Sequence, residues 1–252
     1  MTEAAPTHPQ RVLVIVPALN EEHSVGVVVA TTRGLGYDVC VVDDGSVDTT
    51  AARARDAGAT VLGVPFNLGI GGALRCGFRW ALAQGYDTVV QLDADGQHDP
   101  HEIAELLGAM EATGADMVIG SRFVDGSGAY EIRNSRRIAM RLLSRRAARI
   151  TGTMVVDSTS GFRAIRRPQL DRFAANYPVE YLDSVEALIE AGRAGARIVE
   201  HPVSMSPRAH GQGSAGALAS VWYVARVMLA TELMHRRRRR RPPNLPSTHG
   251  VS

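Results

Sequence analysis

Gln91-Leu92-Asp93-Ala94-Asp95-Gly96-Gln97 closes an apolar, β-like segment that runs from Asp87 to Leu92. Two carboxylates stand two residues apart, with a small residue between them and a glycine after. Residues i and i+2 of a strand point to one side, so a strand that continues through this run makes Asp93 and Asp95 converge. Converging carboxylates repel unless a cation lies between them. A hard ion such as Mg²⁺ takes a few carboxylates together with phosphate oxygens, so the run is a place to hold the diphosphate of an activated substrate. An isolated acidic pair is also ordinary turn chemistry, and the segments around it decide between the two.

Upstream, Arg11–Val16 ends at Pro17 and reads as a buried strand. Asn20 followed by two acids suits a helix start, with the helix running to Thr32. Asp38–Asp44 is a second strand, Asp48 caps a helix to about Ala57, and Thr60–Val64 is a third strand. Asn67-Leu68-Gly69-Ile70-Gly71-Gly72 is a glycine-rich loop entering a helix over Ala73–Gln84. Thr88–Leu92 is the fourth strand. Pro100, suited to a first helical turn, opens a helix to Thr113. Asp116–Gly120 is a fifth strand. Strands and helices alternate, which predicts an α/β fold with a mostly parallel, doubly wound sheet. Such sheets bind ligands beyond the carboxyl ends of their strands. The polar clusters Pro17–Glu21, Asp43–Ser46 and Asp93–Gln97 all fall there, which points to one site.

The second half is less regular. Val124–Asn134 reads as a glycine-containing loop and Ser135–Ile150 as a helix on which Arg137, Arg141, Arg145 and Arg149 form a stripe. That stripe is either a solvated basic face or the contact for an anionic partner. Asp157–Arg163 is a polar loop leading into an apolar patch, Tyr181–Arg193 a helix and Arg197–Val203 a strand.

Net charge hides a polarity. Residues 1–200 hold 20 Arg against 25 acids, and residues 201–252 hold 8 Arg against one; there is no lysine. Ala215–Met234 is apolar and aromatic but carries Arg226 and Glu232, which suits a helix lying on a membrane better than one crossing it. Arg236–Arg241 follow. An amphipathic helix plus a polybasic run makes a two-part peripheral anchor; the alternative is a helix packed on the domain with a solvated tail. No stacking aromatics accompany the arginines, which argues against nucleic acid. Cys40 and Cys76 have no metal-like spacing and read as reduced, buried thiols of a cytosolic protein. Met1–Gln10 lacks an apolar core for a secretion signal. The expected organisation is a flexible N-terminus (1–10), a catalytic α/β domain (11–212), a membrane-surface helix (213–235) and a polybasic, disordered tail (236–252).

In order and spacing, Pro17-Ala18-Leu19-Asn20-Glu21-Glu22, Asp43-Asp44-Gly45-Ser46, Asn67–Ala73, Asp93–Pro100, Gly120-Ser121-Arg122 and Thr159-Ser160-Gly161-Phe162-Arg163 resemble family 2 glycosyltransferases of the GT-A, Rossmann-like fold. Among them, polyprenyl-phosphate (dolichol-phosphate) sugar synthases are the most similar. The resemblance spans about residues 11–210. It implies a nucleotide-sugar site at Pro17, Ala18, Glu21, Asp43, Asp44, Gly69 and Gly71, and a Mg²⁺ or Mn²⁺ site at Asp93, Asp95 and Gln97. It implies that Arg122, Arg136, Arg137 and Arg208 grip a lipid phosphate, with Arg163 also on substrate. The resemblance offers Asp157 as a candidate base or organiser and implies that Asp157, Asp95 and Arg122 form the catalytic set. His98 and His101 read as loop residues rather than ligands. The first motif and the glycine loop fit UDP-sugars better than GDP-mannose. Relatives often carry C-terminal membrane helices; the resemblance implies that a surface anchor or a small membrane-protein partner takes their role here, with the cytoplasmic face of the plasma membrane as the expected location. A soluble transferase acting on a saccharide or metabolite shares the same donor motifs.

Overall fold

A computed structural model describes residues 11–124, 155–178 and 183–206. The chain divides into two units, residues 1–212 and 213–252, and every described residue belongs to the first. The arginine stripe, Arg136, Arg137, Arg208, Ala215–Met234 and the polybasic run lie outside the described residues.

Among the described residues seven strands build one sheet: β1 (Val12–Ala18), β2 (Asp38–Asp43), β3 (Thr60–Gly63), β4 (Thr88–Gln91), β5 (Met117–Ser121), β6 (Arg163–Arg166) and β7 (Ile198–Pro202), in the order β3-β2-β1-β4-β6-β5-β7. Every pairing is parallel except those of β6, which runs antiparallel between β4 and β5. β1 is apolar without interruption because both of its faces are covered. Leu13 and Ile15 join Cys40, Val42, Phe78 and Phe173 in one core, and Val14 and Val16 join Val25, Val29, Leu106 and Phe162 in the other. Helices α3 (Ile70–Ala83), α5 (Gln169–Ala175) and α6 (Asp183–Arg193) contribute to the first core. Helices α1 (Val25–Gly34), α2 (Thr50–Asp56) and α4 (Ile103–Thr113) contribute to the second. This is the expected α/β sheet flanked by helices.

The winding reverses at β1, with β2 and β3 on one side and β4 on the other, so the ends of β1 and β4 frame a switch point of the kind that binds ligands. The antiparallel β6 was not expected. Its first residue, Arg163, pairs with Gln91 at the end of β4 and with Ile119 of β5. An antiparallel strand starts where its parallel neighbours finish, so the segment preceding β6 enters at the same end of the sheet.

Several local expectations change. Asn20 is not a helix cap: it has φ 55°, donates its N–H to Ser46 Oγ and accepts from Val47 N–H through its side chain, thereby tying the β1 loop to the β2 loop. Helix α1 begins later, with Ser24 at its N-cap position. Pro100–Glu102 forms a 3₁₀ turn ahead of α4, with Asp99 accepting the His101 N–H. Cys40 is buried, which pushes its thiol up to about 12, whereas Cys76 is only half-buried. No helix among the described residues is long and apolar enough to cross a membrane.

Candidate active site

β4 ends at Gln91, so Asp93 and Asp95 belong to a turn and not to a strand. The alternation that makes them converge in a strand does not apply, and the turn positions them by other contacts. Asp95 is buried and its Oδ1 accepts the Gln97 N–H at 3.0 Å. Asp93 is partly open, with its side chain 29% exposed, and lies against Gly161. A Cβ at Gly161 would stand 2.6 Å from Asp93 Oδ1, so a larger residue there would displace the Asp93 carboxylate. His98, read from sequence as a loop residue, is buried beneath the turn. It stacks on Phe162 at 5.2 Å, and its Nδ1 faces Asp93 Oδ2 at 3.6 Å. His101 is exposed and pairs with Asp99.

The donor-side loops converge on the same end of the sheet. Ala18 registers with Asp43, and the Asp44 N–H bonds to Ala18 O at 2.8 Å. Pro17 is half-buried, and Asp43 Oδ1 accepts the Ser46 N–H. Glu21 accepts the Ser24 hydroxyl at 2.9 Å. Asp44 reaches into the glycine loop, where Oδ1 accepts the Leu68 N–H at 2.7 Å. Burial pushes Asp44 above the ordinary carboxylate range and the neighbouring Asp43 adds to this, against the pull of the Leu68 and Gly69 N–H groups. Asp44 thus holds the loop that carries Gly69, and Gly69 leads directly into α3, whose first turn contains buried Gly71.

The segment before β6 joins the acidic turn to an arginine. Asp157 is fully buried and clamps Arg122, the residue just past β5. Its Oδ2 accepts Arg122 Nε at 2.6 Å and Arg122 N–H at 3.1 Å, and its Oδ1 accepts Arg122 Nη2 at 2.6 Å. Thr159 Oγ1 also accepts Arg122 Nη2. Both oxygens of Asp157 are thus engaged on one guanidinium, which fixes the orientation of that side chain. Arg163 is 1% exposed and donates to Ser160 O and Ser158 O, so it scaffolds the loop; the expectation of direct substrate contact does not match that burial. After β7 the chain meets both partners again: Gln97 Nε2 donates to Ser206 O, Ser206 N–H bonds to Gln97 O, and Arg122 Nη1 touches Met205 Sδ.

Sequence reading missed Glu200, which accepts the Val156 and Asp157 N–H groups at 2.7 Å each. A lone carboxylate in a short strand carries no signal of that. Among the described residues no three His, Cys, Asp or Glu side chains gather as a metal cluster. Two carboxylates with an amide suit a hard ion that completes its shell with substrate phosphate and water, so Asp93, Asp95 and Gln97 fit Mg²⁺ or Mn²⁺ chemically.

Residues 13–173 match the sequence model of the family described as Glycosyl transferase family 2. Polyprenol monophosphomannose synthase of Mycolicibacterium smegmatis is 34% identical over 212 residues, covering 79% of this chain and 78% of that protein. Undecaprenyl-phosphate mannosyltransferase of Micrococcus luteus is 36% identical over 212 residues, covering 80% and 86%. Glucosyl-3-phosphoglycerate synthase from Mycobacterium tuberculosis, in its crystal complex with uridine-diphosphate, superposes with a TM-score of 0.64 at 27% identity, covering 89% of this chain and 79% of that one. Other crystals of that enzyme hold UDP with Mn²⁺ or Mg²⁺.

Proposed function

The chain belongs to glycosyl transferase family 2, and from that membership we propose that it transfers a hexosyl unit from a nucleotide sugar to polyprenyl phosphate. The observation that carries the reading is the 157–161 segment: at one end Asp157 and Thr159 hold Arg122, and at the other Gly161 lies against Asp93. The arginine proposed for the acceptor phosphate and the turn proposed for the metal diphosphate are thereby joined through one short segment. Both mannose relatives carry a polyprenyl-type acceptor in their names.

The acceptor is a phosphate monoester, largely dianionic at neutral pH, so it needs little help from a base. It needs cations to approach a second anion; Arg122, whose charge Asp157 balances, serves as an oriented hydrogen-bond donor, and Arg136, Arg137 and Arg208 are candidates for the net positive charge. Asp93, Asp95 and Gln97 hold the divalent ion, which when bound neutralises charge on the departing nucleoside diphosphate. Pro17, Ala18, Glu21, Asp43 and Asp44 line the nucleoside end, and Gly69 and Gly71 let the backbone approach the donor. One acceptor oxygen bonds to the anomeric carbon as its bond to the diphosphate breaks, inverting that carbon and giving a β-linked product from an α-linked donor. An α-linked product would exclude this route.

The names of the two relatives support mannose as the sugar, for which GDP-mannose is one candidate donor; the Pro-Ala-Leu-Asn-Glu motif and the glycine loop support a UDP-hexose or UDP-N-acetylhexosamine. A second reading, a water-soluble acceptor, draws on the likeness to glucosyl-3-phosphoglycerate synthase. One assay separates them. Purified full chain with Mg²⁺ or Mn²⁺ receives labelled GDP-mannose, UDP-glucose, UDP-GlcNAc or UDP-GalNAc, with polyprenyl phosphate or 3-phosphoglycerate as acceptor. Label entering the organic phase from one donor supports the proposal and names the sugar. Label found only on the soluble acceptor overturns it. In the same assay Asp95→Ala abolishes metal-dependent turnover while circular dichroism stays that of the wild type; near-normal turnover would mean that the metal lies elsewhere.

A further inference from the structure

The segment before β6 is anchored in two halves. Its downstream half is held from within, because Arg163 Nε and Nη2 donate to Ser160 O and Ser158 O at 2.8 and 3.2 Å. That half carries Gly161, the neighbour of Asp93. Its upstream half is held from outside by Glu200 on β7, the edge strand beside β5. Glu200 Oε2 accepts the Val156 N–H and Oε1 the Asp157 N–H, both at 2.7 Å. Two charge-assisted bonds to consecutive amides fix the direction in which the chain passes Val156, and so the point from which the Asp157 side chain departs.

We propose that Glu200 is a positioning residue for the acceptor side of the site, acting through Asp157 on the Arg122 guanidinium. The relay runs from the β7 carboxylate to two amides, from the second of those residues to its own buried carboxylate, and from there by two parallel hydrogen bonds to Arg122 Nε and Nη2. Both bonds require Asp157 to present its carboxylate edge-on, a geometry that a small rotation of its backbone would break. Glu200 touches neither reactant in this scheme. Because Arg163 holds the Gly161 half separately, loss of Glu200 loosens the Arg122 side and spares the Asp93 side. The proposal deepens the function proposed above and rests on Arg122 facing the acceptor phosphate.

The test uses the full chain with Glu200→Ala and Glu200→Gln. The Arg122 Nε–H resonance is assigned in ¹H–¹⁵N spectra by its disappearance in Arg122→Lys. Expected in Glu200→Ala is loss or a large displacement of that resonance. The KM for polyprenyl phosphate rises about tenfold or more, as misplacement of a binding group does, while donor KM and Mn²⁺ affinity stay within twofold. Glu200→Gln, which keeps one acceptor oxygen, falls between, and it decides the matter alone if the alanine variant does not fold. An unmoved Arg122 resonance in the folded variants overturns the proposal, as does an equal rise in donor and acceptor KM. If the wild-type chain transfers no sugar to polyprenyl phosphate, the function proposed above fails on its own, and the Arg122 resonance still decides whether Glu200 sets that side chain.

Discussion

At the scale of single residues, the site depends on close approaches that one atom can spoil. Gly161 borders Asp93 so tightly that an added Cβ would meet both carboxylate oxygens at 2.6 and 2.7 Å. Gly161→Ala therefore pushes Asp93 out of place, and Mn²⁺ binding followed by electron paramagnetic resonance weakens while the thermal unfolding midpoint changes little. Unaltered Mn²⁺ affinity would separate Asp93 from the metal. Asp44 makes a different point. Its folded pKa lies above the ordinary 3.8, chiefly through burial. Between those two values the folded chain keeps a proton that the unfolded chain has released, so stability falls as pH rises through that window. Asp44→Asn removes the ionisation and leaves an oxygen to accept the Leu68 N–H. Urea midpoints at pH 4 and pH 7 should show the variant gaining on the wild type at the higher pH, and a pH-independent difference would sink the argument.

At the scale of elements, helix α3 lies close on the sheet because Gly77 leaves room for it. A Cβ there would stand 2.7 Å from Ile15 Cγ2 of β1 and 3.3 Å from Val42 Cγ2 of β2. Both neighbours are branched and fully buried, so neither can swing aside. Gly77→Ala is expected to cost about 1–3 kcal/mol in urea unfolding, the usual penalty for overpacking a core; a neutral or stabilising result would mean that α3 shifts freely. The packing also explains what the sequence disclosed. β1 and β2 are legible because strands covered on both faces are runs of apolar residues, and α4 because Pro100 punctuates its approach. β6 was hidden: four residues, arginine at both ends, with no alternation to separate it from the loop before it. Its Arg163 is buried by bonds to carbonyls of its own loop, a solution that only the folded backbone offers. Asp93 and Asp95 were legible as a motif, though a turn and not a strand places them. Glu200 and Asn20 act through backbone groups far along the chain, and residue type alone cannot announce that.

At the scale of the whole molecule, charge is distributed against the demands of the reaction. The first 200 residues carry a balance of −5, from 20 Arg and 25 acids, and the remainder +7, from 8 Arg and one acid. An acidic body is repelled by an anionic leaflet, so the proposed transfer to polyprenyl phosphate there calls for a compensating cation cluster. Each basic residue near such a surface contributes about 1 kcal/mol, and Arg236–Arg241 gather six of them in one run. Replacing Arg236–Arg241 with serine is expected to move the chain from vesicles containing anionic lipid into the supernatant on flotation. Transfer to vesicle-borne polyprenyl phosphate should fall by more than tenfold, while transfer to a short-chain prenyl phosphate in detergent persists. The detergent arm carries the logic, because it removes the surface and leaves the chemistry. Loss in both arms would put those arginines at the reacting phosphate, and loss in neither would leave attachment to Ala215–Met234 or to a membrane-protein partner.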